Sequence, residues 1–97
     1  MTQLRATRLA IRGRVQGVGY RVWLAREAER RSLGGWVRNR ADGSVEALVF
    51  AAPSELADFI AACRRGPPAA SVTEVAVGEE SLPASEGFDD FTVWPTA

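Results

Sequence analysis

The chain has 97 residues, 46% of them hydrophobic, and a formal net charge of zero. That length suits one domain over residues 1–97, with one core and a shallow surface site rather than a large internal cavity. The absence of histidine excludes Ser-His-Asp and Cys-His catalysis and His-ligated metal, and the lone Cys63 excludes an intramolecular disulfide.

Residues 6–13 alternate, with Leu9 and Ile11 on one side and Arg8, Ala10 and Arg12 on the other, the pattern of a half-buried strand. A glycine-bearing turn follows. Tyr20 to Leu33 then places Leu24, Ala25 and Ala28 at helical spacing, with Gly34 and Gly35 as the expected stop. Trp36 to Arg40 and residues 44–51 read as two strands joined by a hairpin at Asp42-Gly43. On the second of these, Val45, Ala47 and Val49 share one face, and Glu46, Leu48 and Phe50 share the open one. Pro53 suits the first turn of a second helix, capped by Ser54 or by the residues just before Pro53. Leu56, Phe59, Ile60 and Cys63 form its apolar face, and Gly66-Pro67-Pro68 ends it. Ser71 to Val77 reads as a fourth strand, residues 78–87 as a loop, and Phe91 to Val93 as a short edge strand.

The predicted fold class is therefore α+β: a ferredoxin-like βαββαβ sandwich, an antiparallel sheet with two helices on one face, and a short extra C-terminal edge strand. Residues 1–40 carry ten Arg and two Glu, whereas residues 41–97 carry two Arg and ten acidic residues. The basic first half reads either as a surface for nucleic acid or a small anionic ligand, or as one partner of an interleaved fold in which the two halves pair their charges. No apolar run approaches the length of a membrane span, and Met1 to Ala10 lacks the apolar segment of an export signal, so a cytoplasmic location is expected.

Two stretches invite chemistry. Gly13-Arg14-Val15-Gln16-Gly17-Val18-Gly19-Tyr20-Arg21 links the first strand to the first helix. Its glycines permit a sharp turn, helix N-terminal N–H groups carry partial positive charge, and Arg21 adds a full one. This reads either as an anion cradle or as a tight strand-to-helix connection with a solvent-facing arginine. It is neither a P-loop, since the chain has no lysine, nor a dinucleotide fingerprint, since Val22 stands where a third glycine would fall. Asn39, at the end of the second strand, reads either as a turn-former or as a carboxamide that holds a water by donor and acceptor at once. Cys63 and most of the aromatic residues read as core.

Ile11 to Arg21 resembles the first signature of the acylphosphatase family. Gly35-Trp36-Val37-Arg38-Asn39 with Asp42-Gly43-Ser44-Val45-Glu46 resembles the second, at a matching distance and in the matching element order. The resemblance runs from about Arg8 to Val93. Tyr20 stands where the family more often has Phe, and Ala51, placed just past the third strand, where it more often has Gly. The resemblance implies hydrolysis of the carboxyl–phosphate bond of small acyl phosphates to a carboxylate and inorganic phosphate. It implies that the backbone N–H groups of Gln16, Gly17, Val18, Gly19 and Tyr20 wrap the phosphate, that Arg21 binds its oxygens, and that Asn39 orients the attacking water. It implies no metal and no cofactor. Arg suits such a role because its planar fork meets two phosphate oxygens.

Two other readings compete. RNA-recognition domains share the βαββαβ order but display aromatics on their central strands, which Glu46, Leu48 and Phe50 do not supply well. An accessory domain that binds phosphate without turnover is the other; similar domains occur within larger carbamoyl-transfer maturation proteins. The expected partners are small acyl phosphates and inorganic phosphate, with no nucleic acid and no membrane, acting on a monomer.

Overall fold

A computed structural model describes residues 5–80 and 90–97. In chain order these form β1 (Arg5–Arg14), α1 (Tyr20–Arg30), β2 (Gly34–Asn39), β3 (Val45–Ala51), α2 (Pro53–Arg65), β4 (Ser71–Glu80) and β5 (Phe91–Val93). The strands make one sheet in the order β4-β1-β3-β2-β5. The first four strands pair antiparallel, which is the expected sandwich. The extra strand makes the sheet mixed, because the chain leaves β4 at one edge and re-enters beside β2, parallel to it.

Alternation sorts the side chains. Leu9, Ile11, Val37, Val45, Ala47 and Val49 face the helices and are buried with Tyr20, Leu24, Ala28, Phe59 and Cys63. Removing this apolar surface from water is the main driving force for the sandwich. The opposite face differs from expectation. Ala6, Trp36, Leu48 and Phe50 are buried there as a second small cluster. The Trp94 ring closes it, stacked on Trp36 at 4.4 Å and 9°. β3 is consequently buried on both faces along its whole length. Ala51 is its last residue rather than lying past it, and is buried.

Glu46 sits on that outer face at 7% exposure. Its carboxylate accepts from Arg38 Nε at 2.7 Å, from Arg40 Nη1 at 3.0 Å and from Arg8 Nη1. Arg8 also donates to Glu80 at 2.5 Å, Arg12 lies 3.6 Å from Asp42, and Arg31 reaches Asp58 at 3.1 Å. The basic first half and the acidic second half do pair across the sheet and between the helices.

Helix ends show where local reading falls short. α1 stops at Arg30, not at Gly34-Gly35. Ser32 takes the left-handed conformation (φ 57), its N–H donates to Glu29 O at 3.0 Å, and Leu33 N–H reaches back to Ala28 O at 2.9 Å. This is the paired-bond helix stop usually built on glycine. Gly34 and Gly35 instead begin β2, and a Cβ on Gly35 would lie 1.9 Å from Leu48 O. The glycine is required there by close strand approach rather than by a helix end. α2 starts with Pro53 at its first turn and Ala52 as its cap, with no side-chain cap bond from Ser54. β4 extends through Gly78, Glu79 and Glu80, which the loop expectation had included. The remainder of that expected loop, and Phe88, lie outside the described residues.

The Glu46 knot gives a pH prediction. Burial pushes its carboxyl up, but the hydrogen bonds from Arg38, Arg40 and Arg8 outweigh this and hold it below the usual carboxylate range. Its stabilising contribution is therefore complete above the unfolded value of about 4.3 and is lost as pH falls through the lower folded value. Urea denaturation of wild type and Glu46→Gln at pH 7 and pH 3 tests this. The variant should be less stable at pH 7 and should lose less stability between the two pH values than wild type does.

Candidate active site

β1 and β2 both pair antiparallel with β3, so they point the same way. Their C-terminal ends, Arg14 and Asn39, emerge at the same end of the sheet. β5 runs parallel to β2 and so delivers Trp94 to that end as well. This topology brings the glycine loop, Asn39 and the C-terminal segment together.

In the loop, Gly17 (φ 74) and Gly19 (φ 76) are left-handed, while Val18 and Tyr20 are not. Such alternation turns successive N–H groups toward a common side, the arrangement of an anion nest. A Cβ at either glycine would meet nothing within 4 Å, so backbone conformation, not space, calls for glycine here. Val15 is buried and Val18 packs on the core, which anchors the loop from below. The first bond of α1 runs from Trp23 N–H to Gly19 O at 3.1 Å. The N–H groups of Tyr20, Arg21 and Val22 thus have no acceptor within the helix. Among the described residues, no backbone bond uses an N–H from Gln16 to Gly19 either.

A cavity of about 140 Å³ is lined by Val15, Gly17, Gly19, Tyr20, Arg21, Val22 and Asn39. The two side chains singled out from the sequence therefore open onto one space. Arg21 is half-buried, and its Nη1 donates to Trp94 O at 3.0 Å. Trp94 N–H is itself bonded to Val37 O at 2.8 Å, so the carbonyl that holds Arg21 is tied to β2. Asn39 is the last residue of β2, and the Ala97 N–H donates to its main-chain oxygen at 2.9 Å. Its side-chain Oδ1 is buried and, among the described residues, has no hydrogen-bond partner. A buried carboxamide oxygen without a protein donor calls for a polar partner from outside the chain, such as a water. The turn-forming role falls instead to Asp42, whose Oδ1 accepts from the Ser44 N–H at 2.9 Å and the Ser44 hydroxyl at 2.6 Å. These bonds hold the Asp42 carboxyl below its usual range.

The remaining sequence-derived candidates divide clearly. The Gln16 side chain turns away to the β2–β3 hairpin, bonding Arg40 O and Ser44 O. The Tyr20 ring is core, and its hydroxyl donates to Cys63 O at 2.8 Å. The helical partner of that carbonyl would be the N–H of residue 67, which is Pro67 and has none. Tyr20 supplies the missing donor, and burial holds its phenol protonated well above the ordinary value. Cys63 is fully buried and its thiol is pushed up to about 12, mainly by burial, which suits a packing residue and not a nucleophile. Ala51 does not line the cavity. Among the described residues, no three His, Cys, Asp or Glu side chains cluster to hold a metal ion. No helix among them is long and apolar enough to cross a membrane. The tie between Arg21 and the Trp94 carbonyl was missed by sequence reasoning, because a main-chain acceptor has no residue signature.

Comparison with known proteins agrees with this geometry. The family model described as Acylphosphatase matches residues 7–93. The chain is 52% identical over 89 residues to an acylphosphatase of Bradyrhizobium diazoefficiens, covering 89% of this chain and 90% of that one. Its structure is similar to that of the acylphosphatase from Bacillus subtilis, with a TM-score of 0.85 at 39% identity, over 92% of this chain and 97% of that chain. It is also similar to part of full-length HypF in a phosphate- and nucleotide-bound form. There the TM-score is 0.85 at 26% identity, over 99% of this chain and 12% of that one.

Tyr20→Phe removes the donor that, among the described residues, serves the buried Cys63 carbonyl, while keeping the ring. Urea denaturation should show a loss of about 1–2 kcal/mol. An unchanged midpoint would mean that the Cys63 carbonyl finds another donor.

Proposed function

The chain belongs to the acylphosphatase family, and from that premise we propose how its own residues hydrolyse small acyl phosphates. The observation that carries the reading is the shared cavity, which the glycine loop, Arg21 and Asn39 line together. The phosphoryl oxygens lie in the loop, accepting hydrogen bonds from the N–H groups of Gln16, Gly17, Val18, Gly19 and Tyr20. The Arg21 guanidinium neutralises their charge. Asn39 Oδ1 accepts a hydrogen bond from a water and points the water's lone pair at phosphorus. Attack forms the new P–O bond as the bond from phosphorus to the carboxyl oxygen breaks. The carboxylate departs with the electron pair, and the water's proton passes to a phosphate oxygen, so that acyl phosphate and water give a carboxylate and dihydrogen phosphate.

Phosphoryl transfer of this kind asks for positioning and charge neutralisation more than for covalent help. The leaving group is the base of an acid with a pKa of about 4, so no general acid is required. A chain without histidine can therefore carry out the reaction, and neither metal nor cofactor enters the scheme. We further propose that it works as a monomer in the cytoplasm, with small acyl phosphates as its substrates.

The test is turnover of benzoyl phosphate in the presence of chelator. Arg21→Ala should abolish most activity while the fold survives by circular dichroism. Asn39→Ala should lower kcat by about 10²-fold, the scale of one aligned polar group. Inorganic phosphate should inhibit competitively. Near-normal turnover by Arg21→Ala, or noncompetitive inhibition by phosphate, would remove the loop from the reaction.

A further inference from the structure

Gln16 belongs to the phosphate loop through its backbone N–H, but its side chain has a separate geometry. Its Nε2 donates to Arg40 O and to Ser44 O, both at 2.8 Å. Each of those carbonyls already serves the hairpin. Ser44 O accepts from the Arg40 N–H at 2.8 Å, and Arg40 O accepts from the Gly43 N–H at 3.1 Å. Both protons of one amide nitrogen therefore close the base of the β2–β3 turn. With two acceptors opposite, the orientation of the carboxamide follows from its partners.

The placement of this bridge gives it consequence. Its loop end lies next to Gly17, the first left-handed residue of the cradle. Its hairpin end lies on Arg40, next to Asn39. Among the described residues, no other side-chain hydrogen bond joins residues 15–19 to the hairpin. Val15 and Val18 fix the loop against the core, whereas the Gln16 amide fixes it against the strand that carries Asn39. The side chain is not itself a ligand for phosphate, because both of its N–H protons are engaged and its remaining oxygen would repel an anion.

We propose that Gln16 is a positioning residue whose carboxamide sets the spacing between the phosphate cradle and Asn39, and hence the aim of the attacking water at phosphorus. The proposal rests on the reading of Asn39 as the group that orients the water. Reacting atoms must be held about 3–3.5 Å apart, and a misplacement of about 1 Å can cost 10²-fold in rate.

Steady-state hydrolysis of benzoyl phosphate by wild type, Gln16→Met, Asn39→Ala and the double variant tests this. Gln16→Met keeps length and removes both donors. Its kcat should fall about tenfold, while inhibition by inorganic phosphate changes by less than about twofold, since the backbone N–H groups and Arg21 remain. In the Asn39→Ala background, the same substitution should cost less than about twofold more, because both changes disable one alignment. Full multiplication of the two losses, an unchanged kcat in Gln16→Met, or a parallel loss of phosphate inhibition would each overturn the proposal. Near-normal turnover by Asn39→Ala would overturn the water-orienting role itself, and the proposal with it. Gln16→Glu provides a second route should Gln16→Met not fold. Its carboxylate offers no donor at neutral pH, but protonation supplies one. The ratio of its kcat to that of wild type should therefore rise as pH falls toward about 5, whereas a flat ratio would count against the bridge.

Discussion

One carboxylate, Glu46, gathers Arg8, Arg38 and Arg40 on the outer face of the sheet. The ion-pair energy of such a knot matters less than the geometry it imposes. A nearly buried carboxylate that lost its partners would carry a heavy desolvation cost, so Arg38 and Arg40 are both held outward. Side chains alternate along a strand, and the residue between two outward arginines must point inward. That residue is Asn39. Its inward side is also that of Val37 in the register of β2 with β3, so the electrostatic arrangement on the outer face and the core on the inner face agree in directing it to the cavity beside the glycine loop. Trp36 and Trp94 reinforce this: the Arg38 guanidinium lies 5.0 Å from one ring and 6.0 Å from the other, within cation–π reach.

The site is assembled from parts with different degrees of support. The loop is shaped by two left-handed glycines and anchored by Val15 and Val18. Arg21 is steered by a main-chain carbonyl whose own position depends on β2 and on the stacked Trp94 ring. Asn39 carries a buried oxygen without a partner among the described residues. These are three different devices: glycine backbone, a guanidinium held by the main chain, and a carboxamide oxygen with no partner among the described residues. Their clustering in one cavity is what distinguishes the place from a tight strand-to-helix turn.

Much of this was legible in the sequence, for identifiable reasons. β1 and α2 have clean periods, and Asp42-Gly43 marks the hairpin by turn chemistry. Gly17 and Gly19 announce left-handed backbone, and the Arg-rich first half facing an acid-rich second half foreshadows the cross-sheet pairs. What stayed hidden depended on tertiary contact. Gly34-Gly35 looks like a helix stop, but the stop is made by Ser32, and Gly35 is glycine because Leu48 O comes too close for any side chain. The outer face of β3 looks open until Trp94 folds back over it. The bonds of Gln16 and Arg21 end on main-chain oxygens, which no residue identity reveals.

The strand order also has a bearing on how the molecule comes into being. Of the four strand pairings, only β2 with β3 joins neighbours along the chain; β1 pairs with β3 and β4, and β2 with β5. The hairpin can therefore form early by local closure, whereas β1 must wait for partners that lie far along the chain and bear the entropy of closing long loops. β1 precedes both of its partners in the chain and is seated between them only once β4, through Glu80, is available. The glycine loop follows β1 and Asn39 ends β2, so pairing of both strands with β3 brings them together, but the carbonyl that holds Arg21 belongs to Trp94 and arrives only with β5. The candidate site is therefore completed by the last strand of the sheet.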